Sequence, residues 1–139
     1  MAFLPLNHEE GKLTLMPCVT SITITKGDAL VDNGSGYLTS AEAGTAVEVR
    51  YVAAETVTTT FTGQQVSCYS TLSDTAIRFI ADTDANPAQT DVGTEADLAT
   101  VSTVNPDAST HDIFFIESVV LPLTKKKVKG YFISSVPNS

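Results

Sequence analysis

The residues best placed to do chemistry in this sequence are a short acidic run, two histidines, two cysteines and a lysine cluster. Asp82-Thr83-Asp84-Ala85-Asn86 offers three side-chain oxygens at alternate positions, as the start of a calcium-binding loop does. The pattern then breaks. The sixth position, which needs a sharply turning glycine, is Pro87, and the twelfth, which needs a bidentate glutamate, is Gly93. The expectation is a solvated acidic loop and no bound metal, with Asp82, Asp84 and Asn86 the nearest approach to a ligand set. His8, followed by Glu9 and Glu10, and His111, followed by Asp112, are the only histidines, and neither has the two-histidine spacing of a zinc site. No serine sits in a Gly-x-Ser-x-Gly elbow, and Cys18 and Cys68 lack a nucleophile signature. Gly27, Gly34, Gly36 and Gly44 lie between strand-like segments, whereas a phosphate cradle needs a glycine turn leading into a helix. No catalytic residue and no cofactor are expected, and the chain is not read as an enzyme.

Charge narrows the partners. The formal net charge is −8, which disfavours a nucleic-acid or anionic-membrane surface. Lys125, Lys126, Lys127 and Lys129 carry half of the 8 positive charges within five positions. Such a cluster either guards a strand connection against edge-to-edge aggregation or meets an acidic partner. No stretch approaches the roughly 20 apolar residues that span a bilayer. The opening residues lack the basic and apolar regions of a secretion signal, so Cys18 and Cys68 are expected to be buried free thiols; a disulfide between them would need an oxidising destination. Tyr37, Tyr51, Tyr69 and Tyr131 lie on separate strand-like segments and read as core or rim residues rather than a sugar platform.

The elements that must hold these residues are strands. Thr56, Thr58, Thr59, Thr60 and Thr62 typify a chain rich in β-branched hydroxyl residues, which suit a pleated surface better than a helix. Val47, Val49, Tyr51 and Ala53 alternate with Glu48, Arg50 and Val52, a period of two that puts one face in the core. Asp32-Asn33-Gly34-Ser35-Gly36 is the clearest hairpin turn. Further strands are expected over Val19 to Thr25, Ala29 to Val31, Val66 to Tyr69, Ala76 to Ala81 and Val128 to Ile133. The run from Ile113 to Leu123 is expected to be a strand buried on both faces or at a sheet interface. The acidic stretch from Asp82 to Asp97 is expected to be a loop carrying one short strand near Val92. No repeat at a fixed period is visible. The fold expected is all-β: a small β-barrel or β-sandwich of about eight or more short antiparallel strands. Residues 1–17, bracketed by Pro5 and Pro17 and broken by Gly11, are expected to form an extended N-terminal arm, and residues 18–139 a single β-domain.

Lys26-Gly27-Asp28-Ala29-Leu30-Val31-Asp32-Asn33-Gly34-Ser35-Gly36-Tyr37-Leu38-Thr39-Ser40-Ala41, behind an apolar strand, resembles the opening of small head-decoration (cement) proteins of tailed bacteriophages. Leu30 stands where that pattern has valine. The closing segment, Ile113 to Ile133, is similar to the closing strands of such proteins, and the stretch from Ala81 to Asp112 has no counterpart. The resemblance implies a β-barrel-like virion protein on the outer capsid surface. It would be made in the host cytoplasm, often be a homotrimer, and bind the major capsid protein so as to stabilise the head. On that reading Phe3, Leu4 and Leu6 of the arm, and Lys125, Lys126, Lys127 and Lys129, are the partner-binding residues. The alternatives are another phage component, such as a tail, fibre or head-completion protein, or a sugar- or calcium-binding β-module.

Overall fold

A computed structural model describes residues 3–5, 13–71 and 78–133. Leu6, the His8-Glu9-Glu10 run and Gly11 lie outside the described residues, as do Ala76 and Ile77 at the start of one expected strand. Among those described the chain is all-β, with two 3-10 turns at Gln89–Asp91 and Leu123–Lys125. Its strands are β1 (Leu4–Pro5), β2 (Leu13–Cys18), β3 (Thr23–Ile24), β4 (Ala29–Asp32), β5 (Leu38–Ser40), β6 (Tyr51–Ala53) and β7 (Val57–Thr58). They continue with β8 (Gln64–Ser70), β9 (Phe79–Thr83), β10 (Glu95–Thr100), β11 (Thr103–Asn105), β12 (Phe114–Val119) and β13 (Lys127–Phe132).

These strands build two rings. The first is a closed barrel in the order β2-β5-β4-β6-β8, with β3 and β7 paired as a separate ribbon. The second runs β9-β11-β10-β12-β13 and closes through a β13–β9 pairing, with β1 added to β9. Both rings use the same connectivity. The first strand pairs parallel with the third (β2 with β5, β9 with β11), and every other neighbour is antiparallel.

The match extends to register. Ala29 opposite Val52 and Leu30 opposite Tyr51 correspond to Glu95 opposite Phe115 and Ala96 opposite Phe114. Val31 opposite Thr39 corresponds to Asp97 opposite Asn105. Cys68 lies opposite both Ala53 and Thr14, and Gly130 opposite both Ile116 and Phe79. A turn repeats as well. Gly27 and Gly93, at φ of 92° and 86°, donate their N–H groups to Ala53 at 2.8 Å and Ile116 at 2.7 Å. The residues after them, Asp28 and Thr94, accept from the N–H groups of Ala53 and Ile116, each at 2.9 Å. The chain is therefore a structural tandem. Its sequence hides this, because few of the matched positions share a residue: Gly27 with Gly93, Val66 with Val128, Tyr69 with Tyr131.

The barrels are packed against each other. Cys18, Ile24, Leu30, Leu38, Ala53, Val66 and Cys68 fill the first barrel. Ala29, Val31, Ala41, Val49 and Val52 belong instead to a cluster with Phe79, Leu98, Val104, Phe114, Ile116, Val128 and Phe132 of the second. Main-chain bonds cross the same junction, from Ala29 N–H to Val101 O and from Gly44 N–H to Leu98 O, both 2.8 Å. Burial of Val52 explains why the alternation over Val47 to Ala53 fails as a one-faced pattern: one side faces the barrel interior and the other faces the second barrel.

Several expected boundaries move. Residues 13–17 are not part of an arm; they form most of β2, paired with β8 from Leu13 opposite Tyr69 to Cys18 opposite Gln64. The strand expected over Val19 to Thr25 is broken at Ser21, whose φ is 60°, leaving only β3. The acidic stretch contains β10 rather than a strand at Val92, because Ala96 and Leu98 supply inward side chains on either side of a buried Asp97. In β12 only Phe114 and Ile116 are fully buried, so that strand has one core face.

Candidate functional site

The acidic run does not converge on a cation position. Asp82 lies within β9 and pairs with Lys127, whereas Asp84 and Asn86 are exposed beyond the strand end. Burial works to raise the pKa of Asp82, but the bond to Lys127 and its charge help hold it below the ordinary carboxylate value. Among the described residues no group of three or more His, Cys, Asp or Glu is arranged to hold a metal ion. His111 is exposed, and its backbone N–H donates to Asp97 at 2.7 Å. His8 lies outside the described residues.

Cys18 and Cys68 are free and fully buried in the first barrel. Burial raises both thiols, Cys68 to about 12, and Glu55 adds to the shift at each. A thiol so far above neutral pH holds almost no thiolate, so neither cysteine is equipped as a nucleophile. A shallow depression of about 290 Å³ is lined by Asp32, Val47, Glu48 and Arg50. There the Arg50 guanidinium faces the Glu48 carboxylate at 3.6 Å. The depression thus pairs a carboxylate with a permanent cation.

The arm residues separate. The apolar anchors of the arm could lie on this chain's own domain or on a neighbour, and the resemblance implies a neighbour for Phe3; it is instead 0% exposed and belongs to this chain's own core. Its ring lies 4.8 Å from Phe132 and 5.8 Å from Phe114, while its N–H donates to Gly27 O in the first barrel at 3.0 Å. Leu4 and Pro5 pair with Ile80 and Phe79, so this segment straps the two barrels together. An aromatic side chain buried this completely contributes about 1.5–3 kcal/mol, more than a loose surface arm would forgo. Leu4 points outward, and Leu6 lies outside the described residues.

The lysines separate too. Lys127 is tied to Asp82, whereas Lys125, Lys126 and Lys129 are exposed. Lys125 closes the 3-10 turn between β12 and β13, and Lys126 follows in the left-handed region at φ 55°. Beside them stands Leu121, the most exposed large apolar residue described, at 68%. The corresponding connection of the first barrel, between β6 and β8, carries Phe61 at 60%. Leu13 and Leu15 on β2 are 44% and 56% exposed.

One residue with a clear local task was not legible in the sequence. The Asp97 carboxylate is 5% exposed and accepts the N–H groups of Thr110, His111 and Asp112 at 3.0, 2.7 and 2.9 Å. Burial tends to raise its pKa, but those three donors outweigh burial and lower it. Asp97 pins the loop leading into β12. Its only trace in the sequence is an aspartate between Ala96 and Leu98, inside a stretch that reads as solvated. No helix among the described residues is long and apolar enough to cross a membrane. No family model, curated protein or solved structure matches the chain.

Proposed function

We propose that this is a virion structural protein, a capsid decoration protein of a tailed phage. In this reading it binds the outside of the major capsid protein shell, as a homotrimer, and reinforces it. The carrying observation is the β12–β13 connection, which exposes Leu121, Lys125 and Lys126 within six positions on a body of net charge −8. An apolar knob flanked by lysines suits an acid-rimmed hollow on another protein, and repetition about a local symmetry axis multiplies a modest contact into a stable clamp. Further support comes from Lys26 to Ala41, the segment that carries the resemblance. It folds as a glycine turn, β4, a turn with Gly34 and Gly36 at positive φ, and β5.

The test is co-sedimentation with expanded, DNA-free shells of the major capsid protein encoded alongside this chain. The expected result is saturable binding that K125E/K126E and Leu121→Asp each weaken by about tenfold or more, with unchanged melting temperatures. Absence of binding to the shell would overturn the reading in favour of another virion part or a ligand-binding module.

A further inference from the structure

We infer that the open edge of β2 is an acceptor site for a β-strand supplied by another protein. The argument comes from the tandem. In the second barrel, one edge of β9 is covered by β13. The other edge is shared: β1 takes Phe79 and Ile80, and β11 takes Asp82 and Thr83. In the first barrel, β8 likewise covers one edge of β2 along its whole length, and β5 takes the other edge at Cys18 alone. Thr14 and Leu15, the counterparts of Phe79 and Ile80, have no neighbour on that side among the described residues.

The direction of the main-chain groups follows from bonds at the strand end. Cys18 O accepts from Gly63 N–H on the β8 side, and Val19 N–H donates to Leu38 O on the β5 side. Alternation then turns the main-chain groups of Cys18, Met16 and Thr14 toward β8, and those of Leu15 and Leu13 toward the open edge. Leu15 therefore presents an N–H and a C=O where Ile80 meets Leu4 of β1. Natural sheets guard such an edge with charge or with proline. β2 carries no charged residue, and its proline, Pro17, protects only the far end. The exposed side chains of Leu13 and Leu15 flank the vacancy.

The occupant is an extended, apolar, neutral or basic segment of a different polypeptide, running antiparallel to β2 as β1 runs to β9. Of the chain's own described residues, Phe3, Leu4 and Pro5 are committed, since Phe3 is buried between the barrels and the other two pair with β9. A second copy fits poorly. Antiparallel β2–β2 pairing about Leu15 would set Leu13 against Pro17, which has no N–H to give. The site lies apart from the β12–β13 tip, so it stands or falls independently of the capsid reading.

The probe is a synthetic peptide with the sequence of residues 1–7, the stretch that holds the strand filling the equivalent edge. It is titrated onto the full-length, isotope-labelled protein. The expected result is amide shifts centred on Leu13 to Pro17, with affinity lowered about tenfold by Leu15→Pro, which removes one outward N–H and none facing β8. Leu15→Lys, which keeps the backbone donor, is the second variant should the proline disturb folding; it is expected to weaken binding through the lost apolar contact. The inference is overturned by no binding, by shifts at Phe79 and Ile80 instead, or by affinity unchanged from the wild type in both variants. It is also overturned if sedimentation shows a dimer that Leu15→Lys dissociates, since the occupant is then a second copy.

Discussion

At the place where the first barrel has Cys68, the second has Gly130, and the difference runs through both interiors. Around Cys68 the buried residues of the first barrel are Ile24, Leu30, Leu38, Ala53, Val66 and Cys18, none larger than leucine or isoleucine, with Met16 and Tyr51 only partly buried against them. Around Gly130 the second packs Phe79, Phe114 and Phe132, with Phe3 added from the strap. Phe132 makes edge contacts at 5.4 Å with Phe79 and 5.1 Å with Phe114. A Cβ on Gly130 would lie 1.8 Å from Phe115 O and 2.8 Å from the Phe114 ring. One pairing scheme thus accommodates two cores, a small-residue one and an aromatic one, provided that one position trades its side chain for ring volume.

The sharpest way to break the comparison is to put the same residue at both places. Gly130→Ala is expected to destabilise the protein by at least about 3 kcal/mol, because the clash is with backbone rather than a movable side chain. Cys68→Ala is expected to cost only about 1–2 kcal/mol. Urea denaturation of the two variants checks this; equal losses would mean that the interiors are not distinguished at this position.

Next in size is Phe3→Ala, expected to cost about 3 kcal/mol by opening a cavity among the aromatic rings. Because Ala29, Val31 and Val52 share that cluster, the loss should reach the first barrel. The buried thiols report on it. Reaction of Cys18 and Cys68 with a disulfide reagent under native conditions should quicken about tenfold for each 1.4 kcal/mol lost. Unchanged thiol protection alongside reduced stability would mean that the barrels open separately.

The smallest effect concerns pH, and here the barrels pull in opposite directions. Burial raises the pKa of Asp28, in the first barrel, although the Thr25 N–H bond counters it. Its contribution to stability is therefore complete below the unfolded value of 3.8 and is lost as pH rises through the higher folded value. Asp97, in the second barrel, has a lowered pKa. Its contribution is present above 3.8 and is lost as pH falls through the folded value. The melting temperature should accordingly rise on mild acidification and fall below about pH 4. Asp28→Asn should flatten the rise. Asp97→Asn should lessen the fall, the part carried by Asp82 remaining, and cost about 1–3 kcal/mol at neutral pH, because the amide cannot serve all three donors as a carboxylate does.

The β class was plain from the β-branched hydroxyl residues and from the Asn33-Gly34 turn, which depend on local sequence, whereas of the alternation over Val47 to Ala53 only Tyr51–Ala53 is a strand. The tandem was not, because register is a property of backbone pairing, and residues as unlike as Val31 and Asp97 occupy matching places. The fate of Phe3 was equally hidden. An apolar residue near a proline reads the same whether it lies on its own core or on another protein, and only the Phe114 and Phe132 rings decide. The lysine cluster was legible as a group, but the bond that withdraws Lys127 from it spans a long separation, back to Asp82 in β9.

Three of the five side chains through which the first barrel holds the second, Ala29, Val31 and Val52, have Glu95, Asp97 and Phe115 as counterparts. Glu95 is exposed, the Asp97 carboxylate is turned onto its own loop, and Phe115 stacks on Tyr131 at 5.2 Å under the Arg78 guanidinium. A third barrel stacking in the same sense would have to desolvate a glutamate where the second found an alanine. Stacking by this geometry would therefore cost more on that face of the second barrel than it does on the first.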